Sequence, residues 1–432
     1  MNKNILRLAL PNIISNITVP LLGMIDMFIV GHLSSELYIG AIAIAVMIFN
    51  LMYWSFSFLR MGTSGFTAQA YGARDSQEAV NILLRSLLVA ALGSLAILFL
   101  QYFILQTALY FIQSSPEVMR LASDYFYIYV WAAPAVLGTY AFMGWFIGMQ
   151  DAKTPMYISI AVNIINILLS IFLVFVLRWE LKGVALASTL AQWSGFLLCN
   201  VSWIVKYKRL RSLISARFIK NIRELVPFFK VNSDIFIRTL CLITVSTFFT
   251  SASAKFGDIT LAVNSLMMQL FILFSYMMDG FAYAAEALTG RFIGEQNNKA
   301  LKQLINRLFG WGFGLTSFFT LLYFLFSDSI LGLLTDKQSV LDMANLYINW
   351  VLLIPVAGFS AFLWDGIFIG MMASKQMRNS MFVAMISFFV IYYFTNNMLA
   401  NDGLWLAFIT YLGMRGIIQA LIFRKIKYKI GL

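Results

Sequence analysis

The sequence predicts an all-α polytopic membrane protein with twelve transmembrane helices in two pseudo-symmetric six-helix lobes, and three observations carry that expectation. Of the 432 residues, 61% are hydrophobic and only 12% charged, with mean hydropathy +0.81, whereas soluble domains average about 25% charged residues. At roughly 20 apolar residues per crossing plus a short connection, this length accommodates about twelve helices. The third observation is internal: motifs of the first half return in the second at nearly constant spacing. A transmembrane β-barrel is excluded because no ten-residue segments of alternating polarity occur.

Reading apolar runs against their breakers places helices in order near 5–31, 38–70, 80–103, 121–148, 157–177 and 183–205, then 222–254, 260–292, 303–326, 342–371, 380–398 and 404–423. The first run is long, lacks an A-x-A cleavage pattern and carries polar residues in its middle, so it reads as a span and not as a removable signal peptide. Most runs are apolar all round, as lipid-facing and buried helices are. Several exceed a bilayer's thickness, which predicts tilt, kinks or extension into water.

Charge sets the expected orientation. With a cytoplasmic N-terminus, twenty Lys and Arg fall in inside segments and five in outside segments, six more lying within helices. That bias follows the positive-inside rule and puts both termini in the cytoplasm. It also accounts for the net charge of +12 without nucleic acid. The longest basic segment alternates Lys206, Lys208, Arg209, Arg211, Arg217, Lys220 and Arg223 with Leu213, Ile214, Phe218 and Ile219. It reads as an amphipathic linker over 206–221, joining an N-lobe at 1–205 to a C-lobe at 222–432. Cys199 and Cys241 sit inside apolar runs and His32 is the only histidine, so disulfide frameworks, metal centres and most enzyme chemistry lack their residues.

The repeat is specific. Gly144-Trp-Phe-Ile-Gly148-Met149 returns 222 residues later as Gly366-Ile-Phe-Ile-Gly370-Met371, with Lys153 matching Lys375. Thr67, Gly72 and Arg85 match Thr289, Gly294 and Arg307 at the same offset, and Arg7 and Pro11 match Arg223 and Pro227 at 216. Six helices between copies preserve orientation, which predicts lobes related by an axis along the membrane normal and a substrate cleft near the midplane.

An ionisable group within a membrane is costly and therefore points to function. Asp26 lies about six residues before the outer end of the first helix, roughly 9 Å below the boundary at 1.5 Å per residue. Tyr125, Asn163, Asn166, Ser170, Ser188 and Thr189 bring polar side chains into the same lobe. Asp26 is the one carboxylate expected there. Burial disfavours the charged form of a lone carboxyl, so such a group can take up a proton and release it when hydrated. Pro11, Pro20 and Pro227 are the expected helix kinks.

In the C-lobe, Asp234 and Arg238 stand at i, i+4, a spacing that predicts an ion pair on one helix face. Asp279, Glu286, Asp365 and Arg415 add charges that should face the bundle interior or a watery cavity. Arg60 falls in the cytoplasmic half of the second span, equivalent to the eighth span with Asp279 and Glu286. A pairing of Arg60 with one of them across the cleft is expected. A static network and a substrate role were equally compatible with these residues.

Three runs together suggest a family: Asp26-Met-Phe-Ile-Val-Gly31-His32, Arg60-Met-Gly-Thr-Ser-Gly-Phe-Thr-Ala-Gln69 and Asp279-Gly-Phe-Ala-Tyr-Ala-Ala-Glu286. They resemble the multidrug and toxic compound extrusion (MATE) transporters. The last two, with Asp234-Ile-Phe-Ile-Arg238-Thr-Leu, resemble the DinF-like branch. The resemblance spans essentially the whole chain and implies a two-lobed secondary antiporter of the MOP-superfamily fold. Such a protein exports amphipathic cationic compounds in exchange for protons or sodium. It also implies an essential aspartate fifteen residues after a proline, as Pro11 and Asp26 reproduce. Relatives commonly follow the helix 5 Asn by an Asp four residues on, where this chain has Asn166 and Ser170. That departure weakens sodium binding, since hard cations want several oxygens, and leaves proton coupling as the expectation. No cofactor is expected, no nucleic-acid partner, an inner-membrane location, and function as a monomer on small organic substrates. A lipid or lipid-linked oligosaccharide flippase of the same superfamily is the alternative.

Overall fold

The computed structural model describes residues 1–31, 37–112, 114–214, 222–335 and 337–429; within these, the side chains of Val19, Leu21, Leu22, Met24, Asp26, Met27, 222–225 and 427–429 lie outside the description. The described chain contains helices and turns but no strand. The first crossing is α1 (Asn2–Gly31), and α2 (Leu37–Ser55) with α3 (Phe58–Gly72) make the second. Next come α4 (Ser76–Phe111), then α5 (Pro116–Tyr129) and α6 (Ala133–Gly148), joined by a 3₁₀ turn at Val130–Ala132. α7 (Lys153–Ile171) runs into a π turn at Phe172–Val176, and α8 (Glu180–Lys206) completes the half. A 3₁₀ segment, Lys208–Leu213, opens the linker; the rest of it, 215–221, lies outside the described residues. The second half holds α9 (Ile222–Ala254), α10 (Asp258–Gly294), α11 (Asn298–Leu334), α12 (Gln338–Gly370), α13 (Ser374–Leu399) and α14 (Asn401–Lys429).

Among the described residues, eleven helical stretches are long and apolar enough to cross a membrane. The 30 residues of α1 add about 45 Å of helix, enough for a twelfth. Several helices outrun the apolar segments expected from sequence, because capped polar turns extend them. Asp75 accepts from the Glu78 amide at 2.9 Å and so starts α4 at Ser76, ahead of the expected 80.

Structure and sequence repeat together. Asn297 caps α11 through the Ala300 amide at 3.0 Å, 222 residues after Asp75 caps α4. The turns before these caps carry Arg74 at φ 58 and Gln296 at φ 53, while Gln150 at φ 64 and Met372 at φ 56 form a second equivalent pair. A methyl group on Gly144 would lie 2.2 Å from the Arg60 carbonyl oxygen, and one on Gly366 would lie 2.2 Å from that of Ala282. The crossing of α3 with α6 is therefore rebuilt as that of α10 with α12, each requiring a residue without a side chain at the contact.

The chain forms two compact units, Ile14–Phe229 and Met1–Ile13 with Lys230–Leu432. These differ from the boundaries expected at 205 and 222 in exchanging two short ends. The start of α1 belongs with the second-half helices, where Gly280 of α10 has so little clearance that an added Cβ would meet Ile13 Cγ1 at 2.3 Å. The start of α9 belongs with the first half, where Phe228 packs against Phe66 at a ring separation of 5.5 Å. In both α1 and α9 the change of unit falls two residues after a proline, Pro11 or Pro227. Both helices continue through these prolines, and α1 also through Pro20. The interruptions in the other spans fall at Phe56–Ser57, at Val130–Ala132, at Phe172–Val176 and at Phe326, which has φ −125 inside α11.

Candidate functional site

In the Ile14–Phe229 unit, polar residues of α5, α7 and α8 interlock within an apolar bundle. Asn166 of α7 donates through Nδ2 to Ser188 Oγ of α8 at 3.0 Å, with both side chains buried. Thr189 Oγ1 donates to the Ala185 carbonyl at 2.8 Å and lies 3.3 Å from the Ile128 carbonyl of α5. Ile128 is one turn from Tyr125, which is buried against Tyr129 at 5.9 Å between ring centres. Tyr129 in turn packs edge-on against Tyr53 of α2 at 6.2 Å. One turn before Asn166, Asn163 donates to the Thr18 carbonyl of α1 at 3.3 Å. Of the residues expected from sequence, Asn166 and Ser188 are thus brought into contact, while Thr189 and Asn163 tie the same helices to α5 and α1.

Two acceptors in this group stand out. Asn166 Oδ1 and Ser170 Oγ are buried and have no hydrogen-bond partner among the described residues. A buried polar oxygen left unmatched costs roughly 1–3 kcal/mol, so a site that keeps two of them has a use for a donor. Asp26 lies on α1 and its side chain is outside the described residues. Its register is nonetheless fixed: Ile25 packs against the apolar cluster that holds Tyr125 and Phe126, and Ile29 and Val30 are buried within it.

The Lys230–Leu432 unit contains the opposite arrangement. Asp365 of α12 accepts from Arg238 of α9 and, at 2.8 Å, from Arg415 Nη2 of α14 on one oxygen. Gln419 Nε2 donates to its other oxygen at 2.6 Å. Asp234 accepts from Arg378 Nη1 at 2.6 Å and Ser374 Oγ at 2.9 Å, both on α13. The expected i, i+4 pair between Asp234 and Arg238 is therefore not made. Both residues do occupy one stretch of α9, but α12 and α13 supply partners from outside the helix with better geometry than one turn of the same helix allows. Every carboxylate oxygen of Asp234 and Asp365 is filled by a protein donor.

The remaining expected residues are dispersed. Arg60 is on α3, where its backbone carbonyl meets Gly144. Glu286 is buried on α10 with its carbonyl against Gly370, and Asp279 lies two turns earlier on the same helix, half-buried. Arg60 falls in one unit and the two acids in the other.

Sequence reading missed three features. Asn264 of α10 exchanges hydrogen bonds with Asn401 of α14 at 2.7 and 3.2 Å, and accepts from Trp405 at 2.9 Å. Tyr38 of α2 donates to Glu180 of α8 at 2.5 Å. Asp151 gathers Lys206 at 2.6 Å, Thr154 at 2.7 Å and Tyr207 at 3.2 Å where α6, α7 and α8 end. Burial and then the Asp151 carboxylate push the Tyr207 phenol well above its usual range, which keeps it a donor. Asparagine pairs and capping tyrosines carry no periodic signal, so only the three-dimensional arrangement reveals them.

Helices crossing a membrane in two equivalent halves, with polar groups held at depth, define a multi-pass membrane transporter and not an enzyme. The MatE family model matches residues 11–172 and again 235–397, and the chain belongs to that family. It is 35% identical over 429 residues to DNA damage-inducible protein F of Escherichia coli, covering 98% of this chain and 92% of that one. It is 25% identical to the probable multidrug resistance protein NorM of Acinetobacter baylyi, covering 94% and 92%. A solved outward-facing multidrug resistance MATE family transporter of the MOP superfamily superposes with TM-score 0.89 at 19% identity, covering 99% of this chain and 96% of its own. The chain is accordingly a multi-pass efflux transporter of the MATE type.

Proposed function

We propose that this transporter exports amphipathic organic cations in exchange for protons by alternating access, with Asp26 as the coupling carboxylate. The observation that carries this reading is the contrast between the units. In the second, Asp234 and Asp365 are saturated by donors, and guanidinium groups stand where a cation would have to enter. In the first, Asn166 Oδ1 and Ser170 Oγ are acceptors still unmet. A protonated carboxyl on α1 supplies a donor of the kind they lack, and a deprotonated one does not. Proton binding at Asp26 then changes the hydrogen bonding of α1 to α7 and reshapes the bundle around Tyr125. The oxygen count in this group, with Ser170 in place of a second acid, supports protons over sodium. The charge bias supports cytoplasmic termini, and the internal repeat supports function as a monomer.

The test is uptake of a fluorescent organic cation into proteoliposomes under an imposed pH gradient and, separately, a sodium gradient. Uptake driven by protons in the wild type and abolished in a well-folded Asp26→Asn variant is the expected result. Unimpaired uptake by Asp26→Asn would remove Asp26 from the mechanism. Failure of both gradients in the wild type would turn attention to lipid-linked substrates.

A further inference from the structure

A groove of about 580 Å³ opens between the end of α4 and the start of α5, lined by Gln106, Tyr110, Pro116, Arg120 and Ser123 among others. Counting crossings from α8, this end of the bundle is on the membrane face opposite the linker. Arg120 is exposed and makes no ion pair among the described residues. Its nearest acid in the chain, Glu117, is one turn back on α5 and is not bridged to it. α5 begins at Pro116 on the groove wall, so the positive end of its dipole adds to the guanidinium charge. Below the groove, α4 presents Leu92, Leu95, Phe99 and Phe103 on one face, and all four are exposed, Phe99 by 84%. The spacing of three and four residues makes this a continuous apolar strip that ends at Gln106.

We propose that this groove seats one anionic glycerophospholipid, its phosphate on Arg120 and Gln106 and an acyl chain along the α4 strip. A cation with a hydrogen-bonding neighbour at the interface and an unbroken apolar track beneath it match the two ends of such a molecule. The track from Gln106 to Leu92 is about 21 Å long at 1.5 Å per residue, more than the roughly 15 Å depth of one leaflet's hydrocarbon. A free phosphate would leave the track unused, and a neutral lipid would leave Arg120 without its counter-charge.

Native mass spectrometry of the full chain in detergent, titrated with phosphatidylglycerol and with phosphatidylcholine of matched acyl chains, tests this. The expected result is one phosphatidylglycerol bound more tightly than phosphatidylcholine. Arg120→Gln should weaken phosphatidylglycerol at least tenfold without affecting phosphatidylcholine. Met119→Trp, which fills the groove, should weaken both. Arg178→Asn, which removes an arginine on the same membrane face outside the groove, should change neither. Equal binding of the two lipids, or undiminished phosphatidylglycerol binding by Arg120→Gln, would overturn the proposal. So would an equal loss in Arg178→Asn, since that would mean general attraction by surface charge.

Discussion

Asp365 illustrates what a single buried charge does in this fold. Its two oxygens receive donors from α9 and α14, so one residue of α12 fixes three helices of the second half. Removing one partner of a buried ion network costs about 3–5 kcal/mol, because the other charges stay in the low-dielectric interior without compensation. Asp365→Ala should therefore lower the unfolding temperature in detergent sharply. Arg291→Gln, which breaks a half-exposed i, i+4 pair with Glu295, should cost only about 0.2–1 kcal/mol. Thermal unfolding of both variants side by side checks the contrast, and equal losses would count against it. The sequence made the presence of Asp234, Arg238, Asp365 and Arg415 conspicuous, because charges inside apolar runs are rare. It did not disclose their partners. Arg378 reads as one more inside-loop cation, and Ser374 and Gln419 carry no pattern at all, yet each donates to a buried carboxylate. Repeat matching misleads in the same way: Arg85 is buried and bound to Glu78 at 2.7 Å, while its counterpart Arg307 is exposed and the position equivalent to Glu78 is Ala300.

At the scale of elements, helix type and number were legible from apolar length and charge bias, and the interruptions were not. Prolines were the expected kinks, but α9 passes through Pro227 and the second span breaks at Phe56–Ser57, where no proline stands. Backbone breaks inside a membrane depend on neighbouring helices meeting the freed polar groups, which is a tertiary property. The glycine motifs were more informative, since their recurrence at 222 residues marks equivalent crossings. Gly144→Ala and Gly366→Ala each force a methyl group onto a backbone carbonyl that cannot yield without parting two helices. Each should destabilise by about 1–3 kcal/mol or prevent folding. Gly310, in α11, has open space around it, so Gly310→Ala should be neutral or stabilise by roughly 0.5–1 kcal/mol. Thermal unfolding separates these outcomes, and a stable Gly144→Ala protein would mean that α3 and α6 do not meet there.

For the whole molecule, the two-half plan was legible from the repeat, while the exchange of helix ends between units was not, because only three-dimensional contacts assign residues 1–13 and 222–229. The exchange predicts which parts move together. Nitroxide labels at Asn4 and Lys302, both exposed and both in the second unit, should keep one distance distribution as pH and substrate are varied. Labels at Asn4 and Gln77, which belong to different units, are the pair in which a transport-linked change should register. Double electron–electron resonance reads both, and a shifting Asn4–Lys302 distance would break the assignment.

The same exchange bears on how the protein is made. Translation delivers Met1–Ile13 first, but the helices it packs with arrive only after Lys230. The first unit, for its part, is finished only when Phe229 has left the ribosome, beyond the linker. The opening segment must therefore wait, inserted but without its native neighbours, while more than half of the protein is synthesised. A nascent chain released early would expose two incomplete ends at once, a signal that membrane quality control could act on before any defective transporter reached completion.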